Sequence, residues 1–192
     1  MDTYHVVLYV HLLSLFLALG AASVMMACLF QLRAAQTLID AVPWGTLAGK
    51  IAHIFPVAVL GLFATGAYMT TDVWTWRTGW IVVSIVGLAI VAVQGPLLGE
   101  RNGKKLKQAL MANGPGPLGA DARRRARHPG MWVADLANIG VVLGVVWNMT
   151  QKPGTGSAVA AVAIGYAVGF IAAWRLSRLP ADVPAAATEP AA

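Results

Sequence analysis

His11 and His53 are the side chains in this sequence best suited to hold haem iron or a metal, with His5, Met149, Asp135 and Gln94 as the groups that would complete their sites. A neutral imidazole binds haem iron or copper, and a thioether sulfur suits Cu(I) or a second haem position. A carboxylate orients a ligating histidine by accepting its other ring N–H, which pairs Asp135 with His53. All of these groups fall within or at the edge of long apolar runs, where an unpaired ionisable side chain costs a few kcal/mol. Each therefore carries either a function or a polar contact that sets helix register, and the residue types alone leave both readings open. His5 and His11 lie six residues apart, ~240° around a helix, so they do not form a chelating pair. There is no Walker loop, no Rossmann glycine pattern, no zinc-type Cys/His spacing and no nucleophile elbow, which argues against ordinary soluble-enzyme chemistry.

The elements that position these residues are read from the distribution of apolar side chains. Of the 192 residues, 58% are hydrophobic and 11% charged, and the mean hydropathy is +0.67. Crossing ~30 Å of hydrocarbon as a helix takes about 20 residues. Windows at 4–32, 51–71, 78–99, 130–151 and 156–176 qualify, and Asp135 is the one Asp or Glu inside them. The expected architecture is all-α, a polytopic transmembrane bundle of about five spans forming one domain over 1–179. The first run is too long for a signal-peptide core and is expected to be retained. Residues 100–129 form a basic loop with a short amphipathic helix, and the Pro/Ala-rich tail 180–192 is expected to be disordered. Cys28 sits inside the first run as a packing residue. The Ala/Gly-rich composition is that of a bacterial chain.

Cytoplasmic segments retain Lys and Arg. Arg33, Lys50, the 100–129 loop, Arg175 and Arg178 fall on one side, while Arg77 and Lys152 alone fall on the other. The sequence thus predicts a plasma-membrane protein with its amino terminus outside and its carboxyl terminus in the cytoplasm. All seven tryptophans fall near predicted span ends, where the ring meets the headgroups. The net charge of +6 follows topology and does not indicate nucleic acid. Arg123, Arg124, Arg125 and Arg127 are expected at the membrane surface, facing anionic headgroups.

With this topology His11 lies in the outer half and His53 near the cytoplasmic face, so the two cannot ligate one haem. An outer cluster would gather His11, Ser14, Ser84, Asn148 and Met149, with Tyr4 or His5. An inner cluster would gather His53, Gln94, Asp135 and Asn138, bordered by His128 and Lys50. Gly140 with Gly144, and Ala161, Gly165, Gly169 and Ala173, form small-residue seams for close helix packing, within the bundle or with a membrane-protein partner or second copy.

The run His11-Leu-Leu-Ser-Leu-Phe-Leu-Ala-Leu-Gly20, with Thr65-Gly66-Ala67-Tyr68 and the segment from Trp132 to Lys152-Pro153, resembles the copper-resistance CopD-like small membrane proteins, including the DUF2269 family. That superfamily includes the HemJ-type membrane protoporphyrinogen oxidase. The resemblance covers roughly residues 4 to 153. It implies a four-helix core with a fifth helix added, and it matches His11 to the first-helix haem ligand of the oxidase branch. The third helix has no lysine to match the oxidase's catalytic one, and the tryptophan usual after the first-helix histidine is absent, so protoporphyrinogen oxidation is not implied. Three functions follow as expectations: b-type haem or redox work through His11 and His53, copper handling through His11, Met149 and His5, or a non-catalytic accessory role.

Overall fold

The computed structural model describes residues 2–178, and the stretch 180–192 lies outside them. Among the described residues the chain is helical with no strand. Helix α1 spans Thr3–Ala34 and starts where the Asp2 side chain accepts from the Tyr4 N–H at 3.3 Å. Its 32 residues reach ~48 Å, so it extends beyond a ~30 Å hydrocarbon layer. Helix α2 (Leu38–Ala52) opens with a Thr37/Asp40 capping box and meets α3 (Ile54–Val73) at His53. Helix α4 (Gly79–Gln94) continues through a π-helical turn, Gly95–Glu100, into α5 (Arg101–Ala112). Helices α6 (Ala120–Ala126), α7 (Pro129–Gln151) and α8 (Thr155–Arg178) complete the chain.

Five stretches are long and apolar enough to cross a membrane: Thr3–Ala34, Leu38–Val73, Gly79–Ala112, Ala120–Gln151 and Thr155–Arg178. The protein is a multi-pass membrane protein. Its outward side chains agree with that, since Phe16, Leu60, Ile164 and Val168 are each exposed by more than 60% and would face acyl chains.

Two packing regimes hold the helices. Within the bundle the tightest seam joins α7 to α8, where glycines let backbone meet backbone. A Cβ on Gly144 would lie 2.7 Å from Val162 Cα, and Gly140 and Gly165 face each other with no room for a side chain on either. The small-residue stripes expected from the sequence thus close on each other within one chain. Lys152 turns the chain between these helices in the left-handed region, φ 48°, and Pro153 prevents α7 from continuing.

At the end of the bundle that carries most of the basic residues, packing instead resembles a water-soluble core. Leu29 and Leu32 of α1, Ala41 of α2, Leu106 and Leu110 of α5, and Met131 and Trp132 of α7 form one buried cluster there. Helix α6 joins it through Ala122 and Ala126. The region 100–129, expected as a loop with one short helix, is thus mostly two packed helices. Its register explains this: Leu106 and Leu110 share a face of α5, and Ala122 and Ala126 share a face of α6. Backbone bonds from Leu38 N–H to Gly116 O (3.0 Å) and from Leu118 N–H to Gln36 O (2.8 Å) tie the intervening loop to the α1–α2 connection.

Candidate functional site

His11 is the buried histidine, 4% exposed, and it faces α3. Its Nδ1 lies 2.8 Å from Thr65 Oγ1. The Thr65 hydroxyl in turn donates to the Gly61 carbonyl at 2.6 Å, so its single proton is committed along its own helix. In the tautomer that carries the proton on Nδ1, the ring donates to the threonine oxygen and its lone pair lies on Nε2. Gly61 makes room beside this contact, since a Cβ there would meet Ser14 at 3.3 Å from its Cβ, whereas a Cβ on Gly66 would make only an ordinary contact with the ring's Cε1 at 3.6 Å. Ser14, one turn beyond His11, bonds to its own helix at Val10 O and packs over Gly61.

The remaining members of the expected outer cluster do not join this centre through any hydrogen bond. Ser84 donates to Trp80 O on its own helix. Asn148, fully buried, donates to Ala158 O across the α7–α8 seam at 3.3 Å. Met149 neighbours it on α7. His5 is exposed at the start of α1, 3.4 Å from Asp2. Among the described residues no set of three His, Cys, Asp or Glu side chains is arranged to hold a metal ion.

A second polar group forms where the π-helical turn packs on α7. Gln94 accepts from the Tyr166 hydroxyl of α8 at 3.2 Å and donates to Val133 O at 3.4 Å, bridging three helices. Close by, Gly95 approaches Asn138, and Gly99 approaches Ala134. Asp135 is buried, and its Oδ2, like Asn138 Oδ1, has no hydrogen-bond partner among the described residues. His53 is not part of this group. It is exposed at the α2–α3 joint and near enough to Glu100 to interact with it electrostatically. Twelve residues of α3 separate it from Thr65, ~18 Å at 1.5 Å per residue, so the two histidine rings belong to opposite ends of the bundle.

At the basic end Arg33 is buried. Its guanidinium stacks 5.8 Å over the Trp132 ring and donates to the Leu176 carbonyl in the last turn of α8. Of the arginines expected at the membrane surface, Arg124 and Arg125 both hold Asp121 at 2.7 Å, while Arg123 and Arg127 are exposed. Hydrogen bonds from Arg125 and then Arg124 keep the Asp121 carboxyl below the usual carboxylate range.

Thr65, quoted from the sequence only for the family resemblance, and Tyr166 are the partners that the expected clusters did not include. A signal existed for Thr65: it lies eight residues from the end of α3, and His11 lies eight from the start of α1, which equal depths in antiparallel neighbours bring together. Tyr166 had no comparable signal, since nothing in α8 fixes which turn meets Gln94. No family model, curated protein or solved structure matches this chain.

Proposed function

We propose that this protein is a plasma-membrane haem protein, amino terminus outside and carboxyl terminus in the cytoplasm, in which His11 supplies the single protein ligand to a b-type haem. The observation that carries the reading is the chain from His11 Nδ1 to Thr65 Oγ1 (2.8 Å) and from Thr65 to the Gly61 carbonyl (2.6 Å). Ligating histidines are held in this way: the second ring nitrogen donates to a fixed acceptor, which sets the tautomer and leaves Nε2 with a lone pair. The donor chemistry therefore fits haem iron at one axial position. Haem bound there would supply electron transfer or ligand binding at iron. This chain's own contribution is orientation of the ring by Thr65 and exclusion of water by the helices around it. The resemblance drawn from the His11 run points to the same residue. Since His53 lies about 18 Å away along α3, the reading is of a one-histidine centre.

The accessory-subunit reading loses its glycine seams, which are occupied between α7 and α8. The copper reading needs His11, Met149 and His5 together, and His5 is turned to the surface beside Asp2.

The test is an absorption spectrum of protein purified from haem-replete cells. A Soret band is expected, abolished in His11→Ala and retained in His53→Ala. Thr65→Val keeps the shape but removes the acceptor, and haem affinity should fall ~10–100-fold, with Thr65→Ser restoring it. A colourless preparation, or a Soret band untouched by His11→Ala, overturns the proposal.

A further inference from the structure

One face of the helical rod from Gly79 to Ala112 changes character within a turn. Val86, Ile90, Val93 and Leu97 follow one another at helical spacing and are all exposed, by 40 to 60%. The next members of the same stripe are Arg101, Lys104 and Gln108, also toward the outside, while Leu106 and Leu110 on the other face are buried. An exposed apolar stripe that becomes cationic in a single turn marks the level at which acyl chains give way to headgroups.

At that level Pro96, Glu100, Arg101, Lys104, Lys105 and Gln108, all on this one rod, line a shallow open groove between their own side chains. Lys104 bonds to Glu100 at 2.5 Å, which cancels one charge of each sign, whereas Arg101 and Lys105 have no carboxylate partner among the described residues. The arginine run of α6, by contrast, is partly neutralised, because Asp121 holds both Arg124 and Arg125.

We propose that this groove is a binding site for an anionic phospholipid, with Arg101 and Lys105 holding the phosphate and the acyl chains lying along Leu97 and Val93. The uncompensated charge is of the right sign, and the apolar stripe begins where the phosphate would end. Guanidinium and ammonium groups are the usual phosphate partners.

The experiment is native mass spectrometry of the full chain in detergent, titrated with phosphatidylglycerol or phosphatidylcholine. Preference for the anionic lipid is expected in the wild type. Each basic residue at a membrane surface contributes about a factor of five, so Arg101→Gln with Lys105→Gln should weaken phosphatidylglycerol binding ~30-fold. Arg123→Gln with Arg127→Gln, an equal loss of charge on α6, should change it by less than about threefold. All four positions are exposed, and an unchanged melting temperature confirms that each double variant is folded. Equal losses in the two double variants would mean a diffuse surface charge and overturn the site, as would equal binding of the two lipids.

Discussion

Replacing Gly165 with alanine adds one methyl group at the tightest point of the α7–α8 seam. A Cβ there would lie 2.9 Å from the Gly140 carbonyl carbon and closer still to its oxygen. Both are backbone atoms, so no rotamer change relieves the clash and the helices must move apart. Overpacking of this kind costs about 1–3 kcal/mol, and separation of the seam also sacrifices dispersion contacts along its length. The expected loss is therefore ~2–3 kcal/mol. Gly20, in the middle of α1, is the matched control, because a Cβ there meets nothing within 4 Å. Its replacement by alanine should stabilise by about 0.5–1 kcal/mol through helix propensity alone. The propensity gain is common to both variants, so they should differ by the clash alone, ~2–3 kcal/mol, or about two decades in the unfolding constant. The assay is equilibrium unfolding of detergent-solubilised protein with sodium dodecyl sulfate, followed by tryptophan fluorescence. If Gly165→Ala is as stable as Gly20→Ala, the seam does not exist as described.

Three other outcomes are expected. Arg33→Lys loses the planar stack on Trp132 and weakens the bond to Leu176 O, so it should destabilise the same transition by about 1–3 kcal/mol, and an unchanged midpoint would refute the burial of this arginine. In a Cys28→Ala background, Arg127→Cys should react with an impermeant maleimide in inside-out vesicles and not in intact cells, and the reverse pattern would invert the topology. The Asp121 carboxyl is held below its ordinary range by Arg125 and Arg124, so its contribution to α6 is present at neutral pH and lost as pH falls through that lowered value. Protection of the α6 amides, with exchange corrected for its intrinsic pH dependence, should accordingly fall in acid in the wild type, and the same fall in Asp121→Asn would exclude this carboxyl as the cause.

The spans were legible because hydropathy and length decide them: α1 and α8 cover the windows at 4–32 and 156–176. The opposite depths of His11 and His53 were legible for the same reason, through rise per residue along oppositely running helices. What sequence could not supply was azimuth. Asn148 and Ser84 have depths compatible with His11, yet Asn148 points at α8 and Ser84 bonds within its own turn. Helix α2 lies outside the windows at 4–32 and 51–71, and the Thr37/Asp40 capping box is the local signal that marks its start. Topology rules weigh only the sign and the side of Arg33. Its burial depends on an indole ring ninety-nine positions later in the chain.

The leucine and alanine core beneath the basic end has a consequence for how this protein comes apart. That storey is held by exclusion of water, whereas the glycine seam above it lies where there is little water to exclude. Urea acts on surfaces that water can reach, so it should loosen α5 and α6 while leaving the paired helices threaded through the bilayer. One chain thus obeys two solvents, and its two floors are expected to fail separately.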